Sequence, residues 1–325
     1  MRSDIKYNNI IDSDEAREAQ AAADAAPGQN AVDIDQERFY ITQAYEKYTP
    51  ENHAVWHDLF TRRWNVLEEQ VSRVFIDGMK VLRLRPDRLP LLCDTTLKSD
   101  CVLADGTTRL AAGSRQEGIN RYLGEVSDWA SYGVPGYLPA KAFFACLAKR
   151  QFPTTVLIRP REVMDYLPEP DIFHDVFGHV PLHASRVFAD FLQTYGKAAL
   201  LCEDEYHIKR LGRLFWFTVE FGLIREDGRT KIYGAGLVSS HGEAAYSLEG
   251  QWEQAGARTP EKTARPVAEW RPFDLERVCE TDFEIDHYQP IYYVLESFEQ
   301  LRDAMNQYAE KVLGSATAKA LAASH

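Results

Sequence analysis

The sequence predicts a mainly α-helical protein with small β elements, on three observations. Apolar residues recur at helical spacing through long stretches, most clearly Val55, Trp56, Leu59, Phe60, Trp64, Leu67, Val71, Val74 and Phe75, the stripe of a helix that buries one face. A second such stripe is Phe188, Phe191, Leu192 and Tyr195, at i, i+3, i+4 and i+7. Strand-like segments, by contrast, are short: Thr154 to Arg159 and the aromatic stretch from Ile285 to Leu295. The chain's 325 residues, 45% hydrophobic and 12% aromatic, supply enough apolar surface for a substantial core.

Taken in order, residues 1–36 are rich in Asp, Glu, Ala, Asn and Gln and read as a disordered or loosely attached acidic tail, with residues 37–325 as one folded domain. Thr49-Pro50-Glu51 opens a helix with a capping residue and a proline in its first turn, predicted to run to about Leu84, where Arg85-Pro86-Asp87 stops it. Residues 92–118 change character to short polar segments around Ala104-Asp105-Gly106 and read as a hairpin on a surface insertion. Helices are expected over 119–129 and 141–151, separated by a loop at 132–139, and again over 203–222. A hairpin turns at Asp227-Gly228, residues 250–272 read as surface loop, and a last helix begins near Ser297.

Composition excludes several classes. A net charge of −12 with a pI near 5.3 and no basic stripe argues against nucleic-acid binding. No run approaches a membrane span, and the first residues do not form a signal peptide. The five cysteines, at 93, 101, 146, 202 and 279, form no CxxC pair and read as free thiols of a reducing cytoplasm. The expectation is a soluble cytoplasmic protein, monomeric because the stripe on the last helix is too short for a coiled coil.

Chemistry concentrates in Glu169-Pro170-Asp171-Ile172-Phe173-His174-Asp175-Val176-Phe177-Gly178-His179-Val180-Pro181. On an ideal helix two histidines five apart project about 140° from one another, so both meet one ion only if the backbone bends or ends between them. Gly178 is where it could bend, and Pro181 forbids smooth continuation. Two ordinary histidines, one buried and one exposed, is the reading this spacing leaves open. A second site residue is Glu220, set among Phe215, Trp216, Phe217, Val219 and Phe221. A carboxylate buried there requires a cation such as Arg213, a proton or a metal. Two imidazoles and one carboxylate form the facial triad of non-haem iron(II) oxygenases, and the same set serves catalytic zinc. Gly234-Ala235-Gly236 superficially suggests a dinucleotide loop, but Ser239 occupies the place of the third glycine and no strand-turn-helix unit surrounds it.

From about residue 56 to 301 the chain resembles the pterin-dependent aromatic amino acid hydroxylases, most closely their bacterial phenylalanine 4-hydroxylase branch. Four blocks carry the resemblance: the histidine segment through Leu182, Phe215-Trp216-Phe217-Thr218-Val219-Glu220-Phe221-Gly222-Leu223, Tyr233-Gly234-Ala235-Gly236-Leu237-Val238-Ser239-Ser240, and Tyr288-Gln289-Pro290-Ile291-Tyr292-Tyr293-Val294. It implies the aromatic amino acid hydroxylase catalytic-domain fold and conversion of L-phenylalanine to L-tyrosine with Fe(II), dioxygen and a tetrahydropterin. It also implies roles: His174, His179 and Glu220 as iron ligands, Arg159 for the substrate carboxylate, Trp216 and Pro170 as walls of the ring pocket, and Ser239 orienting the first histidine. Phe143, Leu138 and Asp175 fall on the pterin side. Trp216 favours a one-ring substrate over tryptophan 5-hydroxylation, which leaves 3-hydroxylation of phenylalanine or tyrosine as the nearest competitor. A zinc hydrolase on the same ligands and a silent binding module for aromatic amino acids are the readings outside this class. Departures from the family pattern are Leu167 for threonine, Asp175 for glutamate, Phe283 for tyrosine, and the 92–118 insertion.

Overall fold

A computed structural model of the chain describes residues 35–164, 170–202, 204–253, 267–283, 285 and 287–314. Residues 1–34 of the expected tail, Leu167 and Glu169 lie outside the described residues, as does the alanine-rich end beyond 314. Asp35 caps a short helical turn, Gln36–Phe39, and Gln36, placed in the tail by the expected boundary at 37, is fully buried.

The first long helix, α1 (Pro50–Gln70), begins as its sequence dictates: the Thr49 hydroxyl accepts the Asn52 N–H, and the Asn52 side chain returns a bond to the Thr49 backbone. It does not run on to Leu84. The apolar stripe continues, but the chain breaks at Val71-Ser72, where the Ser72 N–H bonds the Ile232 carbonyl at 2.8 Å and the Ser72 hydroxyl caps a second helix, α2 (Arg73–Leu82). Side-chain periodicity survives such a break because both helices bury the same face. Trp56 and Phe60 of α1 meet Phe173 and Phe177 edge-on at 5.6 and 5.1 Å, seating α1 against the histidine segment.

The 92–118 insertion forms two nested antiparallel pairs, β1 (Thr95–Thr96) with β4 (Arg115–Gln116) and β2 (Cys101–Val102) with β3 (Arg109–Leu110). Leu97, Cys101 and Leu103 are buried under it. After α3 (Ile119–Ser127) come β5 (Ala130–Val134), α4 (Ala140–Ala148) and β6 (Gln151–Thr155), with the two strands parallel. The expected loop at 132–139 and helix to 151 are corrected here. Arg150, at φ 58°, turns the chain out of α4, and β6 then carries Thr155 to the cavity edge.

Helices α5 (Arg186–Leu201) and α6 (Glu205–Phe215) follow. A five-stranded sheet comes next, ordered β8-β7-β11-β10-β9. The hairpin β7 (Leu223–Glu226) and β8 (Arg229–Ile232) turns at Asp227 and Gly228, both with positive φ, as a two-residue Asp-Gly hairpin requires. Parts of the expected loop at 250–272 are strands, β9 (Gln251–Trp252) and β10 (Glu269–Pro272), held parallel beside β11 (Ile291–Leu295). Short α7 (Ala235–Ser239), α8 (His241–Leu248) and α9 (Leu275–Glu280) connect these, and α10 (Phe298–Leu313) closes the fold against α5. Among the described residues every cysteine is free, and no helix is long and apolar enough to cross a membrane.

Candidate functional site

The five-residue spacing of the histidines is resolved by a π-helix, Phe173–His179. Its wider turn, closed by bonds such as Val180 N–H to the Asp175 carbonyl, stacks residues five apart on one face. The expected bend at Gly178 is therefore not the device. Gly178 instead lets α7 approach, since a Cβ there would lie 3.0 Å from the Ala235 carbonyl oxygen. The His174 and His179 rings stand nearly perpendicular, 4.9 Å apart, with their Nε2 atoms 3.2 Å from each other. A second π-helix, Trp216–Glu220, follows α6 and delivers Glu220 to the same point. Its Oε1 lies 3.0 Å from His179 Nε2 and its Oε2 3.6 Å from His174 Nε2. Arg213, the alternative partner, points away to the Cys279 carbonyl and Asp282.

The donor chemistry fits a cation. Ser239 Oγ donates its one proton to the Ala235 carbonyl at 2.8 Å, so toward His174 Nδ1, 3.0 Å away, it accepts. The Nδ1–H tautomer follows, which leaves the His174 Nε2 lone pair facing His179 and Glu220. Burial pushes the His174 pKa down to about 4, which keeps the ring neutral. Burial alone would lower His179 and raise Glu220, but their mutual attraction prevails, raising the imidazole and lowering the carboxylate. Three donor atoms within 4.8 Å of one another, and no Lys or Arg paired with Glu220 among the described residues, make a cradle for one positive charge. Two-histidine, one-carboxylate cradles with room beside them belong to mononuclear metal sites of the non-haem iron or catalytic zinc type.

That room is a cavity of about 1030 Å³. All ten residues singled out in the sequence line it: Leu138, Phe143, Arg159, Pro170, His174, Asp175, His179, Trp216, Glu220 and Ser239. Phe143, on α4, meets Phe152 and Phe215 edge-on. Asp175 is buried, takes the Thr155 N–H at 2.6 Å, and has its pKa raised to about 7 by that burial. Arg159 holds a position the sequence did not reveal. Its Nε and Nη2 form a fork onto Asp171, both at 2.8 Å, and its backbone N–H bonds the same carboxylate. Asp171 is wholly buried and also takes the His174 N–H at 3.0 Å, so one carboxylate ties Arg159 to the π-helix. Gln289 was missed too: its Oε1 accepts from Trp216 Nε1 at 3.0 Å. Gly234 and Gly236 serve close approach to the Glu220 backbone, 2.4 and 3.1 Å from a Cβ placed on each.

Comparison with known proteins narrows this class. Residues 41–317 match the family described as biopterin-dependent aromatic amino acid hydroxylase, and the chain belongs to that family. It is 38% identical over 271 residues to phenylalanine-4-hydroxylase of Mesorhizobium japonicum, covering 82% of each chain. With phenylalanine-4-hydroxylase of Chromobacterium violaceum it shares 35% over 266 residues, 82% of this chain and 76% of that one. The crystal structure of the Chromobacterium enzyme with bound iron(III) and 7,8-dihydrobiopterin matches at a TM-score of 0.68 and 32% identity, covering 93% of this chain and 92% of that one. Rat tyrosine 3-monooxygenase is 32% identical over 270 residues, 82% of this chain but 46% of its own.

Proposed function

We propose that the protein is a phenylalanine 4-monooxygenase, converting L-phenylalanine to L-tyrosine with dioxygen and a tetrahydropterin at iron(II) held by His174, His179 and Glu220. Convergence of these three donors at the cavity wall is the observation that carries this reading, and family membership sets the zinc hydrolase and the silent binding module aside. With iron(II) and a tetrahydropterin bound, the chemistry supplied is activation of dioxygen and delivery of one oxygen atom to the ring. The chain's own work is placement. Arg159, held by Asp171 through Nε and Nη2 and by the Met164 carbonyl through Nη1 at 3.3 Å, brings a guanidinium charge to the cavity wall for the substrate carboxylate. Trp216 and Pro170 wall the ring, and Ser239 holds the His174 tautomer. Phe143 supplies an aromatic face to the pterin, with Leu138 and Asp175 beside it, while the apolar lining excludes water from the reacting centre.

The same reading makes residues 37–325 one catalytic domain of a cytoplasmic monomer, with the 92–118 insertion as surface structure. Hydroxylation at the 3-position is the second outcome, favoured by the match to tyrosine 3-monooxygenase. Iron-loaded protein incubated with each aromatic amino acid and a tetrahydropterin should give tyrosine from phenylalanine. A 3-hydroxylated product would move the assignment within the family, and pterin-independent hydrolysis with stoichiometric zinc would overturn it. Light scattering tests the monomer.

A further inference from the structure

Of the two residues assigned as ring-pocket walls, Trp216 is the one with a polar handle, and a buried network outside the donor set holds it. Its Nε1–H donates to Gln289 Oε1 at 3.0 Å. Gln289, 2% exposed, is fixed at both ends: its Nε2 donates to the His287 carbonyl at 3.2 Å, and its backbone N–H donates to Glu243 Oε1 at 3.0 Å. That same oxygen takes the Tyr292 hydroxyl at 2.9 Å. Glu243 lies in the first turn of α8, where its N–H bonds the capping Ser240 hydroxyl, and Ser240 follows directly on Ser239, the partner of His174. The indole is stacked by Phe283 at 4.3 Å and 12°, and Phe221 leans on it at 4.7 Å and 40°. Two rings restrict its tilt, and the Nε1 bond adds a direction that ring stacking lacks.

We propose that Glu243 and Gln289 are positioning residues for substrate discrimination: Glu243 fixes the segment bearing Gln289, and Gln289 sets the orientation of Trp216 in the aromatic pocket. The inference rests on the reading of Trp216 as a ring-pocket wall. Neither residue needs to touch substrate, cofactor or metal donors for this. What each contributes is a satisfied buried hydrogen bond in a low-dielectric surrounding, and an alternative indole orientation would forfeit the bond from Trp216 Nε1 to Gln289 Oε1. A carboxylate is not required as such. Burial raises the Glu243 pKa, and an amide oxygen at the same place accepts the same two protons.

The test measures, for iron-loaded protein, the ratio of kcat/KM for L-phenylalanine over L-tryptophan and the tyrosine formed per tetrahydropterin oxidised. Glu243→Ala and Gln289→Met should each lower the ratio about fivefold, the worth of one hydrogen bond, and uncouple pterin oxidation from product. Glu243→Gln should restore both. In a Trp216→Phe background, which lacks the N–H, Glu243→Ala should add nothing further to the ratio. A merely structural role would lower activity equally for both substrates and leave ratio and coupling unchanged, and that result overturns the proposal. Gln289→Met keeps the side-chain volume and decides the matter if Glu243→Ala does not fold. Should Trp216→Phe itself leave the ratio untouched, the reading of Trp216 as a pocket wall falls, and this proposal with it. A response at Trp216 but none at Glu243 and Gln289 removes only the positioning role.

Discussion

Replacing Asp171 with alanine should damage the protein more than replacing any group on the cavity surface. The Asp171 carboxylate is wholly buried and accepts four bonds: the Arg159 backbone N–H at 2.9 Å, Arg159 Nε and Nη2 at 2.8 Å each, and the His174 N–H at 3.0 Å. Burial would raise its pKa, but the Arg159 guanidinium holds it below the usual carboxylate range. Alanine removes every acceptor at once and leaves a guanidinium that is only 8% exposed without its anion. Breaking one side of a buried pair of this kind costs about 3–5 kcal/mol. Because the same cation is proposed to hold the substrate carboxylate, KM for phenylalanine should rise as well. Arg159→Ala strands Asp171 in the same way, so the double variant should be destabilised by less than the sum of the singles, with a coupling of about 2 kcal/mol. Denaturant unfolding of metal-free protein measures the four stabilities, and steady-state kinetics of the iron-loaded forms gives KM. Additivity within about 0.5 kcal/mol, with KM unchanged in Asp171→Ala, would refute the argument that this pair anchors both the π-helix and the substrate end of the cavity.

His174→Ala, His179→Ala and Glu220→Ala should each abolish iron retention and turnover; elemental analysis after desalting checks this, and a variant that keeps iron and full activity is not a ligand. Gly234→Ala removes no donor, yet its Cβ would sit 2.4 Å from the Glu220 carbonyl oxygen and the Gly222 nitrogen. Iron affinity by chelator competition should therefore fall about ten- to a hundredfold, and an unchanged affinity would mean that Glu220 is not seated by this contact. His53, buried with Nδ1 accepting the Leu89 N–H at 3.0 Å, has its pKa lowered by burial to about 4. The unfolded chain binds this proton first, so its contribution is complete above about pH 6.5 and is lost as pH falls toward 4, about 3 kcal/mol in all. Relative to wild type, His53→Gln should flatten the stability profile across that window; parallel profiles would show that His53 does not set it.

The sequence made the residue set legible and left its geometry hidden. His174, His179 and Glu220 stand in blocks whose order and residue types mark them, and apolar stripes placed the starts of the long helices but not their ends, the first stopping at Gln70 and not near Leu84. Hydrogen bonds between distant segments were not legible. The break at Ser72 depends on the Ile232 carbonyl, 160 positions away in the sequence, and residues with no strand pattern of their own become β10 on the parallel edge that β11 offers and β9 on the edge of β10. Asp171 sat in view within the histidine block, but only its contact with Arg159 shows that the cation's fork is already engaged. Gln289 and Glu243 carry no local signal, since a glutamine and a glutamate in aromatic surroundings become a network only when α8 and β11 are brought together.

Both segments that deliver donors are π-helical, and the reason lies in what each must present. An α-helix would separate His174 and His179 around its axis, whereas the wider turn places both rings on one side. After α6, the bond from Phe221 N–H to the Trp216 carbonyl, 2.9 Å, widens the last turn so that Glu220 faces the histidines while Trp216 stays against Phe283. Such turns are less favourable than α-helix on their own, so neighbouring structure must hold them. Asp171 binds the start of the first. One short helix, α7, seats both: Gly178 receives Ala235, Gly234 and Gly236 lie against the Glu220 backbone, and Ser239 reaches His174. Donor spacing is therefore set by backbone contacts within the chain itself. That is the preorganisation a site needs when positions on the metal must remain open to dioxygen.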